Sequence, residues 1–218
     1  MNEIINIVMG LSVVRTFSSH GRNTIFNRTQ FWRHSFGCAS AARMLARDLQ
    51  FDTDGVDFVA GLLHDIGKLI MDQYLHAKLK DLQKLRQKDD MTPLEAEVRI
   101  MGVDHAMLGS WLGQRWQLPA PLLEAIEHHH RPLDVLALAT PSRQPALTAL
   151  VHLADILAHE PDLDFMETSE SSGTFSDNTA WKIILAERPD LDKDQLEGFI
   201  TKYDEYKESV NAIVDAVA

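Results

Sequence analysis

The sequence predicts an all-α fold, and three observations lead to that prediction. Apolar residues recur at helical spacing along most of the 218 residues. Candidate capping residues stand before several of these segments, and one of them, Thr92, is followed by Pro and Glu. No segment shows the two-residue period of a strand, and no internal repeat is visible. We therefore expect roughly eight to ten helices packed into one bundle.

The first part of the chain predicts two helices separated by a polar connection. Residues 4–17 have apolar side chains at helical spacing but no capping residue before them, which suggests that the natural protein has a further helical portion upstream. Thr29 is the predicted N-cap of a long helix that ends near Leu49. His34 lies on the apolar face of that helix, one turn before Cys38, which we interpret as a core residue.

The segment from Phe58 to Lys68 is the most informative stretch of the chain. It is apolar or small up to the adjacent His64 and Asp65, and this predicts a buried helix that presents an imidazole and a carboxylate at its end. Residues 75–90 are rich in charge and predict a solvent-facing helix.

Two helix starts follow in the middle of the chain. Thr92, Pro93 and Glu95 form the pattern of a capping box with Pro at the first helical position. Asp104 predicts the cap of the next helix, whose buried stripe we expect to contain His105, Leu108, Leu112 and Trp116.

The last part of the chain predicts a short helix over residues 121–129, which ends in the histidine run at 128–130 before Pro132. Residues 147–158 are apolar nearly all round, which predicts a central buried helix. Residues 160–179 are rich in Ser, Asp, Thr and Gly and predict a polar loop, whereas 181–186 and 192–217 predict two closing helices.

Composition and charge exclude several classes of protein. The formal net charge of −11 argues against binding to a nucleic acid backbone or an anionic membrane. The single cysteine excludes an internal disulfide framework and fits a reducing compartment. The sequence contains neither a membrane-spanning stretch nor a secretory signal pattern. We therefore expect a cytoplasmic protein without nucleic acid or membrane partners.

Seven ionisable residues lie within, or at the ends of, segments that otherwise read as core: His34, His64, Asp65, His105, His129, His130 and Asp155. Buried groups of this kind are costly unless they are paired, and convergence on a metal would compensate all of them at once. Imidazole and carboxylate donors without a thiolate suit Fe, Mn, Zn or Mg rather than a structural zinc site. Seven donors exceed the coordination of one ion, so two ions sharing the Asp65 carboxylate are a natural arrangement.

Each of these residues also has an interpretation that needs no metal. His34 is compatible with a hydrogen-bonded core histidine, and His105 with a residue that helps the N-cap of its helix. The histidines at 128–130 are compatible with favourable partners of a helix dipole, and Asp155 with an acceptor for a neighbouring helix start.

The order of these motifs resembles the HD superfamily of metal-dependent phosphohydrolases, and more closely its HDOD (HD-related output domain) group of bacterial signalling proteins. The resemblance covers about residues 4 to 160. The segments that carry it are Phe31–Ser35, Phe58–Leu69, Asp104–Gly109, Trp116–Pro119, Ala125–Ile126, His129–Pro132 and Val151–Asp155.

The resemblance implies an HD-domain-like helical bundle and assigns the seven residues as metal ligands, with Asp65 bridging two ions and acting in catalysis. The paired ligands are His129 and His130 rather than His128, because the family's pair stands one residue before the Pro. Lys68 would contact a substrate phosphate and assist catalysis. The implied cofactor is one or two divalent ions, with Fe or Mn favoured over Mg or Zn.

Two departures from the related HD-GYP enzymes, which hydrolyse cyclic di-GMP, bear on activity. Arg131, Pro132 and Leu133 follow the histidines where those enzymes have Gly-Tyr-Pro, which argues against cyclic di-GMP hydrolysis. Gln30 stands where some of them have a Glu ligand, which argues against a third ion.

The motifs, the resemblance and these two departures leave three functional hypotheses open. The first is an HDOD signal-transduction protein that binds one or two divalent ions and hydrolyses a phosphoester. The second is a non-catalytic regulatory module that binds a nucleotide or a signalling partner protein, and the third is a helical interaction domain with merely buried histidines. In each case we expect an HD-like domain at 1–160, a polar loop at 161–179, and C-terminal helices at 180–218 packing on the same domain.

Overall fold

The computed structural model describes residues 26–86, 91–140, 142, 144–159, 175, 178–191 and 198–205. Within these ranges ten helices are bounded at both ends and no strand occurs, which confirms the predicted all-α class. They are α1 (Arg28–Asp48), α2 (Asp57–Leu63), α3 (Ile66–Tyr74), α4 (His76–Arg86), α5 (Pro93–Met101), α6 (His105–Arg115), α7 (Ala120–His128), a 3-10 helix (Pro132–Ala137), α8 (Pro145–Ala158) and α9 (Trp181–Glu187). Residues 198–205 are also helical. The predictions for residues 4–17 and for most of 160–179 lie outside the described ranges.

Helix α1 begins two residues earlier than predicted. Asn27, not Thr29, is its N-cap: the Asn27 backbone is extended and its side chain accepts a hydrogen bond from the Gln30 backbone N–H. Thr29 already lies within the first turn, where its backbone is helical. A cap must have non-helical backbone angles, so only the earlier of the two candidate side chains can serve here.

The two predicted helix starts in the middle of the chain are present. Thr92 caps α5 in a complete capping box, in which its hydroxyl accepts from the Glu95 N–H and the Glu95 carboxylate accepts from the Thr92 N–H. Asp104 caps α6, and its carboxylate accepts a hydrogen bond of 2.8 Å from the Met107 N–H. These caps fix where the two helices begin, α5 at Pro93 and α6 at His105.

The predicted buried stripe of α6 is confirmed at His105 and wrong at Trp116. It holds in part at Leu108 and Leu112, which pack against the core. Leu108 and Leu112 are half-buried, and Trp111 and Trp116 are 51% and 38% exposed. The buried face instead contains the small residues Ala106, Gly109, Ser110 and Gly113. Helix α6 lies close to the backbone of α3 and to side chains of α7, so the size of the side chains, rather than their hydrophobicity, decides which face is buried.

Two groups of helices make up the described bundle. Helices α1, α2 and α8 pack together, as do α3, α6 and α7, and the α7–α8 contact joins the two groups. Helix α8 is central, as predicted, because it also contacts the 3-10 helix and α9. Leu147, Leu150 and Leu153 on α8 are at most 1% exposed, and burial of each such side chain contributes about 1.5–3 kcal/mol. No helix within the described ranges is both long and apolar enough to cross a membrane.

Candidate metal centre

The junction between α2 and α3 places Asp65 where the two helix groups meet. Helix α2 ends at Leu63 and α3 begins at Ile66, so His64 and Asp65 occupy a tight turn between two buried helices. Both residues are at most 2% exposed. The sequence expectation that a buried helix presents this pair at its end is confirmed.

One oxygen of Asp65 faces a group of three histidines. Its Oδ1 atom lies 3.0 Å from His105 Nε2 and 3.6 Å from His129 Nε2. His130 completes the group, because its Nε2 lies 2.8 Å from His105 Nε2. Helix α6 contributes His105 from its first position, and the end of α7 contributes the other two.

The other oxygen of Asp65 faces α1. Its Oδ2 atom lies 3.3 Å from His64 Nε2, 3.8 Å from His34 Nε2 and 2.6 Å from the Lys68 ammonium. Asp155 on α8 closes this side, with Oδ1 at 3.0 Å from His34 Nε2 and 3.6 Å from His64 Nε2. Asp65 therefore stands between two donor groups, with one oxygen toward each.

The turn geometry aims the imidazole Nε2 atoms at Asp65. His64 Nδ1–H donates to the Gly61 carbonyl at 2.7 Å, and His129 Nδ1–H donates to the Ile126 carbonyl at 2.8 Å. In both cases a histidine just past the end of a helix satisfies a carbonyl three residues back, which is one of the orphan acceptors of a helix terminus. In the neutral ring the opposite nitrogen, which points into the centre, is then an acceptor.

The electrostatics of the centre raise the pKa of two of its histidines and lower the pKa of two others. Burial disfavours the His64 and His105 imidazolium ions, but neighbouring carboxylates outweigh it, so that the pKa of His64 lies well above its ordinary value and that of His105 is raised to about 9. Burial lowers the pKa of His129 to about 4 and, together with the neighbouring His129 ring, holds the pKa of His130 well below its ordinary value. Burial opposes ionisation of Asp65, yet His64 and Lys68 hold its pKa well below the ordinary value.

The residues present fit a divalent metal. His129 Nε2 is buried and has no hydrogen-bond partner among the described residues, although it points at Asp65 Oδ1. Three overlapping sets of donor atoms lie within 4.8 Å of one another: Asp65 with His105, His129 and His130; His34 with His64 and Asp65; and His64 with His129 and Asp155. Nitrogen and oxygen donors in this number suit one or two ions of Fe, Mn, Zn or Mg.

The structure thus gathers all seven residues singled out in the sequence. We call them the central cluster: His34, His64, Asp65, His105, His129, His130 and Asp155. Lys68 lies beside it, paired with Asp65, and Cys38 is fully buried in the core as expected. The assignment of the seven as ligands stays a prediction.

Two further residues that sequence reasoning missed support the cluster. Glu97 on α5 is fully buried and its carboxylate accepts hydrogen bonds from His105. His152 on α8 is buried, and its Nδ1–H donates to the His129 carbonyl at 2.5 Å. Glu97 lies in an ordinary amphipathic helix, so nothing in the local pattern marks it. His152 is visible in the sequence as a polar residue in an apolar helix, three residues before Asp155.

Comparison with known proteins gives one family and several relatives. The HDOD domain model matches residues 1–132. An uncharacterised protein of Treponema pallidum is 28% identical over 112 residues, which amount to 50% of this chain and 21% of that protein. The chain therefore matches only about a fifth of the length of this relative.

Solved structures resemble the chain over almost its whole length. An HDOD domain protein of unknown function from Geobacter sulfurreducens has a TM-score of 0.79 and 25% identity, covering 98% of this chain and 70% of that one. A protein of Shewanella amazonensis named as a candidate phosphohydrolase has a TM-score of 0.69 and 20% identity, covering 98% and 71%. A protein of Marinobacter aquaeolei named as a candidate signal transduction protein has a TM-score of 0.70 and 19% identity, covering 98% and 44%.

The last two likenesses, at 20% and 19% identity, show the fold alone. The family match is of a different kind, because it covers more than half of the chain, from residue 1 to residue 132. The fold, the donor groups around Asp65 and this match agree with one another, and the chain belongs to the HDOD domain family.

Proposed function

We propose that this protein is a signal-transduction HDOD domain that holds one or two divalent metal ions in the central cluster, and that phosphoester hydrolysis is the reaction of this centre. The observation that carries the proposal is the placement of Asp65, whose two oxygens each face a separate group of imidazole nitrogens. Orphaned His129 Nε2 supports it further, since a buried acceptor without a partner is costly unless a ligand completes it.

The proposed chemistry divides among the metal ion, the residues that hold it and Lys68. A bound divalent ion supplies charge neutralisation for a phosphoryl group. Asp65 and the imidazoles hold the ion or ions, while the backbone carbonyls of Gly61 and Ile126 keep the rings of His64 and His129 in the binding tautomer. Lys68 binds a phosphate oxygen, for which its ammonium must share its present 2.6 Å contact with Asp65 Oδ2.

The reacting phosphate would enter beside Asp155. The side chain of Asp155 is 15% exposed, whereas those of His34 and Lys68 are 5% exposed and that of Asp65 is 2% exposed. Asp155 therefore forms the outer edge of the centre, and a nucleotide or another small phosphoester is the substrate class that could reach it.

The decisive experiment measures metal content in the purified protein, without a polyhistidine tag, beside the double variant His64→Ala/Asp65→Ala. A matched control is His76→Ala/Asp81→Ala, which makes the same two changes on α4, a helix that contributes nothing to the central cluster. We expect one or two equivalents of a transition metal in the wild type and the control, and a loss in the cluster variant.

Hydrolysis is then tested on the metal-loaded protein with bis(4-nitrophenyl) phosphate and with mono- and dinucleotides. Turnover that depends on the metal and is absent from the cluster variant would support the proposal. Absence of metal in the wild type, even after reconstitution with Fe(II) or Mn(II), would refute it.

The second candidate function is a regulatory module that binds a nucleotide or a partner protein without catalysis. The low exposure of the cluster favours the absence of catalysis, because a centre this closed holds an ion more readily than it admits a phosphoester for hydrolysis. Metal in the wild type, with no turnover and with nucleotide binding detected by calorimetry, would select this candidate over the first.

A further inference from the structure

Glu97 is a buried charge whose hydrogen bonds converge on one residue. Its side chain is fully buried on α5, and Oε2 accepts from both the backbone N–H and the Nδ1–H of His105, each at 2.8 Å. Its Oε1 atom has no hydrogen-bond partner in the described part of the chain. Burial of a carboxylate costs several kcal/mol unless its partners compensate it, so this placement calls for a function that only a charge can serve.

The other imidazoles held in the same way have neutral partners. His64 and His129 donate from Nδ1 to the carbonyls of Gly61 and Ile126, whereas His105 donates from Nδ1 to a carboxylate. A carboxylate behind an imidazole fixes the ring and makes the opposite nitrogen a stronger metal donor. That nitrogen, His105 Nε2, lies 3.0 Å from Asp65 Oδ1.

The two donor groups around Asp65 are therefore unequal. We call the set Asp65, His105, His129 and His130 the His105 position, and the set His34, His64 and Asp65 the His34 position. The first brings four donor atoms within 4.8 Å of one another and has Glu97 behind it, while the second brings three, with Asp155 at its edge, 3.0 Å from His34 Nε2. In addition, the Lys68 ammonium lies 2.6 Å from the Asp65 oxygen that faces the His34 position, where it competes with a cation.

We propose that Glu97 is a positioning residue that makes the His105 position fill first and bind its ion more tightly than the His34 position. This inference rests on the proposed function, namely that the central cluster binds metal. It adds an order of loading and names the residue, outside the ligand set, that determines it.

The order of loading is tested by titrating the metal-free protein with Mn(II) and measuring free Mn(II) by electron paramagnetic resonance. His105→Ala should lose the tighter binding step, while His34→Ala should keep it and lose only the weaker one. Loss of the tighter step in His34→Ala instead would overturn the inference.

The role of Glu97 is tested with Glu97→Gln, which removes the charge and keeps the shape. We expect the affinity of the tighter step to fall about 10- to 100-fold, the range for partners behind a metal ligand, with little change in the weaker step. Glu95→Gln makes the same substitution in the same helix at an exposed capping position and should leave both steps unchanged.

A double-mutant cycle separates positioning from mere structural support. In the His105→Ala background, Glu97→Gln should have no further effect on Mn(II) binding, because Glu97 acts through that ring. A general loss of structure would instead weaken the remaining step as well. An unchanged tighter step in Glu97→Gln, or an effect that persists without His105, would refute the role of Glu97.

A measurement on the wild type covers the case in which Glu97→Gln does not fold. Nitrogen-15 labelled histidine spectra of the Zn(II)-loaded protein should show the His105 proton on Nδ1, shifted downfield by a carboxylate and slow to exchange. A His105 proton on Nε2 would overturn the inference. Absence of any metal binding would refute both this inference and the proposed function, whereas metal binding with the wrong order refutes this inference alone.

Discussion

Replacing Gly67 by Ala tests whether the crossing of α3 and α6 sets the spacing of the central cluster. A Cβ atom at position 67 would lie 1.9 Å from the His105 carbonyl oxygen and 2.9 Å from the Gly109 backbone nitrogen. An ordinary contact begins at 3.4 Å, so one helix must retreat by about 1.5 Å. No side chain can rotate away to relieve the clash, because the obstructing atoms belong to the backbone.

The expected cost has two parts. Overpacking in a close-packed core costs about 1–3 kcal/mol, and a clash between backbones belongs at the upper end of that range. The retreat also widens the 3.0 Å separation between His105 Nε2 and Asp65 Oδ1. Binding constellations are held to within about 0.5 Å of their productive geometry, so the ion shared by these two residues should be lost.

The assay is urea unfolding of the metal-free protein together with metal analysis after reconstitution. Gly198→Ala is the matched control, because a Cβ there meets nothing within 4 Å. That control should keep its metal and gain up to about 1 kcal/mol from better helix propensity. If Gly67→Ala unfolds within about 0.5 kcal/mol of the wild type and keeps full metal, the crossing does not set the spacing.

Three further predictions follow from the site and the core. Because the pKa of His105 is about 9, Nε2 must lose its proton to bind a metal. Metal affinity at the His105 position should therefore rise about tenfold per pH unit as the pH approaches 9 and level off above it, as measured by Mn(II) titration; a flat profile would contradict this. Lys68→Met should strengthen metal binding at Asp65 Oδ2, which the Lys68 ammonium now contacts, and should lower any phosphoester turnover. Weaker metal binding in the same titration would show that the lysine does not compete with the metal ion for this oxygen. Leu150→Ala on α8 should cost about 2–5 kcal/mol in urea unfolding, whereas Leu136→Ala, at a side chain that is 63% exposed, should cost less than about 0.5 kcal/mol; equal costs would contradict the packing described for α8.

The all-α class and the residues around Asp65 were predictable because capping patterns, and ionisable residues within apolar segments, are both visible in the sequence. Thr92 and Asp104 cap their helices as their patterns predict. The cluster was visible because imidazoles and carboxylates stand out within apolar segments, and burial of such groups demands a common cause.

The remaining features depend on tertiary contacts that no local pattern records. On α6 the hydrophobic pattern favoured Leu108 and Trp116 as core, but close packing against α3 and α7 selects the face with glycine and alanine. Glu97 was missed for a related reason: its burial follows from where α5 lies against His105, eight residues later in the chain. Asn27 and Thr29 are both preferred cap residue types, and the backbone angles show that Asn27 is the one that caps α1.

The position of α8 has a consequence for how this domain could be transferred from one protein to another. The family match ends at residue 132, but α8 begins at Pro145 and supplies both the Asp155 side of the centre and the His152 bond that holds the His129 carbonyl. A fragment cut at 132 would lose the central helix of the core and, with it, the support of histidines that lie within the match. The shortest segment that evolution or an engineer could move with the central cluster intact therefore extends at least to Ala158.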